Sequence, residues 1–149
     1  MPQSLTLDDL VIVIVDDSDD LRFSVAEFLA ARGAMVFACS DALQGLEAVR
    51  VHHPDIVLSD ISLSNRDGFL LLQDIRLLAR GHGGDVPVIA MTALGDIVAH
   101  SRTMVSGFQT YLDKPFAPEQ LLTAIYSTLE ISRNRVPVQL GRRDRSANQ

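Results

Sequence analysis

The 149 residues, 47% hydrophobic and 5% aromatic, suit one domain with a sizeable core and leave no room for a second catalytic or DNA-binding domain. The net charge of −6 is divided: the last seventeen residues carry five arginines against Asp144, a net +4, which leaves −10 on residues 1–132, and an acidic body opposes the phosphate contacts of non-specific DNA binding. A single cysteine, Cys39, excludes an intramolecular disulfide, and the longest early apolar run, Leu10 to Val15, is too short to span a bilayer and meets acids rather than a cleavage site. The expectation is a cytoplasmic protein whose chain contacts neither nucleic acid nor membrane.

In chain order, residues 1–9 read as an N-terminal extension, 10–131 as the folded body and 132–149 as a basic, flexible, solvated tail. Val11 to Val15 predicts a first strand, followed by a helix from Asp19 to Arg32 with Leu21, Val25, Phe28 and Leu29 on one face, Ser18 as cap and Gly33 as stop. Ala34 to Ala38 reads as a second strand. Asp41 and Gln44 resemble a capping box for a helix with the stripe Leu43, Leu46 and Val49, closed at His52-His53-Pro54.

Ile56 to Ser59 predicts the third strand, and the SLSNRDG loop leads to a helix from Gly68 to Ala79 with Leu71, Ile75 and Leu78 aligned. After the GHGGD break, Val86 to Met91 is the fourth strand, and Asp96 to Ser106 is the least amphipathic helix. Phe108 to Leu112 is the fifth strand, and the last helix starts at Pro118 and aligns Leu121, Leu122, Ile125 and Leu129. Near-continuous apolar strands alternating with helices predict an α/β fold whose parallel sheet is covered on both faces. Met91, Met104 and Cys39 read as core residues, and His52, His53, His82 and His100 as solvated or partly packed histidines without ligand spacing.

Four strand ends carry polar residues: Asp16-Asp17, Asp60, Thr92 and Lys114, the last being the only lysine beside twelve arginines. In a parallel sheet the carboxyl ends share one rim, so these residues meet in one crevice. Three clustered carboxylates repel unless a cation neutralises them, and hard oxygen donors favour Mg²⁺. Asp60 could then act as a nucleophile toward phosphorus, with the Lys114 ammonium and the Thr92 hydroxyl on the incoming oxygens. Singly, each also reads plainly: Asp16 and Asp17 as helix-starting acids, Asp60 as a turn residue, Thr92 as a strand end, Lys114 as a surface lysine.

The ordered set VDD at 15–17, SD at 59–60, DG at 67–68, MTA at 91–93 and YLDKPF at 111–116 resembles the response-regulator receiver domain over Leu10 to Glu130. GGDVPVIAMTAL with GFQTYLDKPF is most similar to receivers attached to or serving hybrid histidine kinases. The resemblance implies a doubly wound (βα)5, flavodoxin-like domain of strand order 2-1-3-4-5. It implies that Asp60 accepts phosphoryl from a phosphohistidine, that Asp17 and Asp60 ligate Mg²⁺ directly, that Asp16 acts through water, and that the Ser62 backbone carbonyl completes the protein ligands. Thr92 would then move toward the phosphoryl group as Tyr111 turns inward, switching the helix 4–strand 5–helix 5 face. The Lys114-Pro115 peptide would be cis.

The implied partners are a sensor histidine kinase or histidine phosphotransfer protein, a downstream effector, and a second copy through that same face. With no output domain in the 149 residues, the expectation is a stand-alone receiver in a phosphorelay, not an enzyme beyond slow autodephosphorylation, because Leu94 offers no polar group to orient water. Ser64 replaces the proline usual four residues after the phosphoacceptor. Two rivals remain: a haloacid-dehalogenase-like phosphatase using Asp17 of the Asp17-Ser18-Asp19 pattern as nucleophile, and a phosphorylation-independent binding module.

Overall fold

The computed structural model describes residues 6–63 and 66–135. Ten elements alternate: β1 (Val11–Val15), α1 (Asp19–Ala31), β2 (Met35–Cys39), α2 (Ala42–His52), β3 (Ile56–Asp60), α3 (Gly68–Arg76), β4 (Val88–Ala93), α4 (Ile97–Ser106), β5 (Thr110–Lys114) and α5 (Pro118–Arg135). The five strands pair in parallel in the order β2-β1-β3-β4-β5. This is the doubly wound, flavodoxin-like arrangement expected from the sequence.

Strand side chains alternate between faces, and in the central strands β1, β3 and β4 both faces are buried, which is why those strands are mostly apolar. Ile12, Ile14, Ile56, Leu58, Ile89 and Met91 pack with α1 and α5, whereas Val13, Val15, Val57, Val88 and Ala90 pack with α2, α3 and α4. Leu7, which precedes the expected 10–131 body, is fully buried in the first of these layers, and its N–H donates to the Arg32 carbonyl. Cys39 is buried, and burial pushes its thiol pKa up to about 11, so it serves as an apolar filler rather than a nucleophile. Among the described residues no helix is long and apolar enough to cross a membrane.

Several sequence expectations need correction. Leu43 is 77% exposed, and α2 instead turns Ala42, Gly45, Ala48 and Val49 inward. A Cβ at Gly45 would lie 2.6 Å from the Val15 side chain, so close approach of helix and sheet selects small residues over the larger leucine. Helix α3 ends at Arg76 rather than Ala79, and the Arg76 guanidinium ties the following turn by donating to the Gly84 and Val86 carbonyls. Strand β4 starts two residues late because the Val86 N–H closes a turn on Gly83 and Pro87 has none to give the ladder.

Helix α4 buries only Ala99 and Thr103. Met104 is therefore 55% exposed, not a core filler, whereas Met91 is fully buried. The largest shift concerns β5, which runs from Thr110 to Lys114 rather than Phe108 to Leu112. Phe108 is a core wedge ahead of the ladder, edge-on to Phe69. The strand that follows is an edge strand, and only Leu112 of its five residues is buried. Apolar periodicity therefore included the wedge and placed the half-polar strand two residues early.

Candidate functional site

Register brings the strand ends together. Val15 pairs with Ser59 and Asp60 with Met91, so Asp16, Asp60 and Thr92 follow one another across β1, β3 and β4, while Ala93 pairs with Lys114 on β5. Asp16 is fully buried and Asp60 is 6% exposed, whereas Asp17 opens to solvent. One carboxylate oxygen from each of Asp16, Asp17 and Asp60 lies within 4.8 Å of the others. Hard oxygen donors at that spacing, one of them solvent-facing, fit a divalent cation that keeps part of its hydration shell.

The Lys114 ammonium donates to Asp16 Oδ2 at 2.9 Å and lies 3.3 Å from Asp60 Oδ2. Burial alone would favour its neutral amine, but the hydrogen bond to Asp16 and the charge of Asp60 outweigh it and hold its pKa above 10.5. The Lys114-Pro115 peptide is cis. Each acid has a second anchor: Asp16 Oδ1 accepts the Ser18 N–H at 2.8 Å, and Asp60 Oδ1 accepts the Ser62 N–H at 3.0 Å. Burial raises the Asp60 pKa above 3.8, opposed by the Ser62 bond and the Lys114 charge and assisted by Asp16. A carboxylate so desolvated, with one oxygen pinned and the other beside an ammonium, is positioned for attack on an electrophile.

Thr92, expected on this rim, and Tyr111, expected as a switch residue, both make contacts away from the acidic cluster. The Thr92 hydroxyl donates to Asp113 Oδ1, and the Tyr111 ring stacks on His100. Ser62 is exposed and contributes its N–H to Asp60; Ser64 lies outside the described residues, as does the basic segment 136–149.

Sequence reasoning missed four participants. Arg22 donates to the Asp16 carbonyl at 2.8 Å and pairs with Asp19 at 2.5 Å, bracing the end of β1 from inside α1. Asp113 was passed over as part of a motif, although aspartate is depleted in strands and so signals a polar task. His100 carried no local signal, because its role depends on α4 lying over β5. Gly68 stood only as half of a dipeptide and as a helix start, with nothing to mark its contact with Asp60.

At Gly68 an added Cβ would sit 2.5 Å from the Asp60 carbonyl oxygen and 2.7 Å from Ile61 Cα, both backbone atoms that cannot swing aside. Its N–H also donates to the Ile61 carbonyl, so α3 is docked directly on the peptide that carries Asp60. Gly68→Ala is expected to cost about 1–3 kcal/mol, read as a lower urea midpoint. An unchanged midpoint would show that α3 is not packed this closely.

The family model for the response regulator receiver domain matches residues 12–126. The sensor histidine kinase RcsC of Escherichia coli K12 is 35% identical over 129 residues, covering 87% of this chain and 13% of that protein. The probable transcriptional regulator ycf27 of Cyanophora paradoxa is 30% identical over 123 residues, covering 83% of this chain and 49% of its own length. This chain thus spans about half or less of these curated relatives. The crystal structure of the chemotaxis response regulator CheY4 of Vibrio cholerae shares the fold, with a TM-score of 0.73, 24% identity, and coverage of 80% of this chain and 98% of that one.

Proposed function

The chain belongs to the response regulator receiver domain family, and we propose that Asp60 is its phosphoacceptor, taking phosphoryl from a phosphohistidine in a two-component system or phosphorelay. The observation that carries this reading is the buried Asp60 carboxylate held beside Lys114, with Asp16 and Asp17 completing an acidic cluster. Attack by an Asp60 oxygen forms the P–O bond as the P–N bond to the donor imidazole breaks, and the proton taken up by the departing imidazole comes from solvent or the donor protein. Lys114 receives the negative charge of the transferred group. Asp17 and Asp60 would hold Mg²⁺ directly, Asp16 would act through water, and the Ser62 carbonyl would be the remaining protein ligand. When bound, Mg²⁺ supplies charge neutralisation of the phosphoryl oxygens.

The receiver reading outranks the phosphatase reading on geometry as well as family. Asp19, the second acid of that pattern, is exposed and paired with Arg22 on α1. A complete set of acids with an engaged lysine also argues for a working phosphoacceptor over a binding module. Leu94 is 71% exposed and apolar, which supports slow autodephosphorylation.

Receiver domains interact with histidine kinases and downstream effectors. For this chain the kinase, or a histidine phosphotransfer protein, would meet the rim, and an effector or second copy the α4–β5–α5 face, where Ile97, Val98, Met104 and Val105 expose apolar side chains. A cytoplasmic setting fits such partners. The test is intact mass after incubation with Mg²⁺ and phosphoramidate: one phosphoryl adduct is expected, none in EDTA, and no turnover of small phosphoesters. A wild-type chain that stays unmodified would end the reading.

A further inference from the structure

The Thr92 hydroxyl is committed to a group outside the acidic cluster. Register places Asp113 directly across from Thr92, and the hydroxyl donates to Asp113 Oδ1 at 2.6 Å. The same oxygen lies 2.6 Å from His100 Nε2. The Thr92 bond, then the His100 bond, hold the Asp113 carboxyl below its usual range, so it is ionised at neutral pH and acts only as an acceptor. His100 Nε2 must therefore carry a hydrogen. The His100 ring in turn lies flat on Tyr111, with centroids 4.0 Å apart and planes 12° from parallel. One carboxylate oxygen thus gathers β4, α4 and, through the stacked rings, the aromatic side chain of β5.

A hydroxyl has a single proton to donate. While Thr92 gives it to Asp113, none is left for a phosphoryl oxygen on Asp60. We propose that Asp113 is a positioning residue that restrains phosphoryl capture, clasping the Thr92 hydroxyl and the His100 ring, so that Thr92 turns to a phosphoryl group only as the clasp opens and frees His100 and Tyr111. The proposal rests on the phosphoacceptor reading of Asp60. Its thermodynamic content is a competition: the phosphorylated state gains the Thr92 bond only by giving up the Asp113 bond, so the clasp biases the chain toward its unmodified arrangement. By reciprocity, a partner that draws His100 and α4 away from Asp113 favours the phosphorylated form by the same factor.

Two measurements on the full chain test this. In Mg²⁺ and sub-saturating phosphoramidate, Asp113→Ala is expected to raise the phosphorylated-to-free ratio by about 2- to 10-fold, the net worth of one hydrogen bond. Asp113→Asn, which keeps an acceptor oxygen, should fall between it and wild type. Nitrogen-15 NMR of the unphosphorylated protein should show His100 as the Nε2–H tautomer in wild type, with that preference lost in Asp113→Ala. An unchanged or lower ratio in both folded variants would overturn the proposal, as would the Nδ1–H tautomer in wild type. If wild type itself takes up no phosphoryl group, the reading of Asp60 fails instead, and the His100 tautomer still reports whether the clasp exists.

Discussion

Asp60→Asn will remove the phosphoryl adduct completely and, in EDTA at pH 7, will make the fold more stable. Both effects follow from the same burial. The asparagine keeps the side-chain shape and an oxygen for the Ser62 N–H, but it has no anionic oxygen to attack phosphorus. In wild type the folded pKa of Asp60 lies above 3.8, first because burial disfavours the charge. Between the unfolded and folded values the native state holds the extra proton, so stability falls as pH rises through that window, and the cost persists above it.

Removing that charge is expected to raise Tm in EDTA, because the burial that opposes the carboxylate no longer acts on a charge. Mg²⁺ should stabilise wild type more than the variant, since one carboxylate of the cluster is gone, and so narrow or invert the difference. Thermal melts with EDTA and with Mg²⁺ give the comparison. A variant less stable than wild type in EDTA would mean that Asp60 is better solvated than its 6% exposure implies.

Lys114→Met should slow phosphoryl uptake by about 10²- to 10³-fold, the usual consequence of deleting a preorganised charged donor. Methionine preserves the apolar stem and leaves Asp16 and Asp60 facing each other without the ammonium that lies 2.9 Å from one and 3.3 Å from the other. The variant should also lose stability, with a recognisable pH dependence. The Lys114 pKa is raised in the fold, so its contribution is fully present below 10.5 and is lost as pH rises through the folded value. The alkaline fall in wild-type stability should therefore flatten in Lys114→Met.

Lys114→Arg separates charge from shape. Its guanidinium restores a positive charge but is planar and bulkier than an ammonium, so much of the stability should return while uptake stays slow. Phosphoramidate kinetics by intact mass and urea melts across pH provide the readouts. Full-speed uptake in Lys114→Met would remove Lys114 from the reaction.

The legible part of the site was the part that repeats a local grammar. Asp16, Asp60 and Lys114 stand where apolar runs end, and a parallel sheet brings such ends to one rim whatever the details of packing. Two helix caps were equally local: Ser18 and Asp41 each accept a backbone N–H from three residues ahead. The errors have local reasons too. Leu43 fits a helical stripe by spacing, yet the face that meets the sheet is chosen by how closely Gly45 lets α2 approach Val15. Phe108 looks like a strand residue, yet it fills the space beside Phe69 before the ladder begins.

By itself, the sequence determined the five βα units, the burial of both sheet faces and the residue types at the rim, because hydrophobic period and turn chemistry are properties of neighbouring residues. Only the tertiary structure decided that Lys114 bridges Asp16 and Asp60, that Gly68 abuts the Asp60 peptide, and that Thr92, His100 and Asp113 meet at one oxygen. Those pairings span separate elements and depend on strand register and helix placement. They are set by how the whole core closes, which no local stretch of the chain encodes.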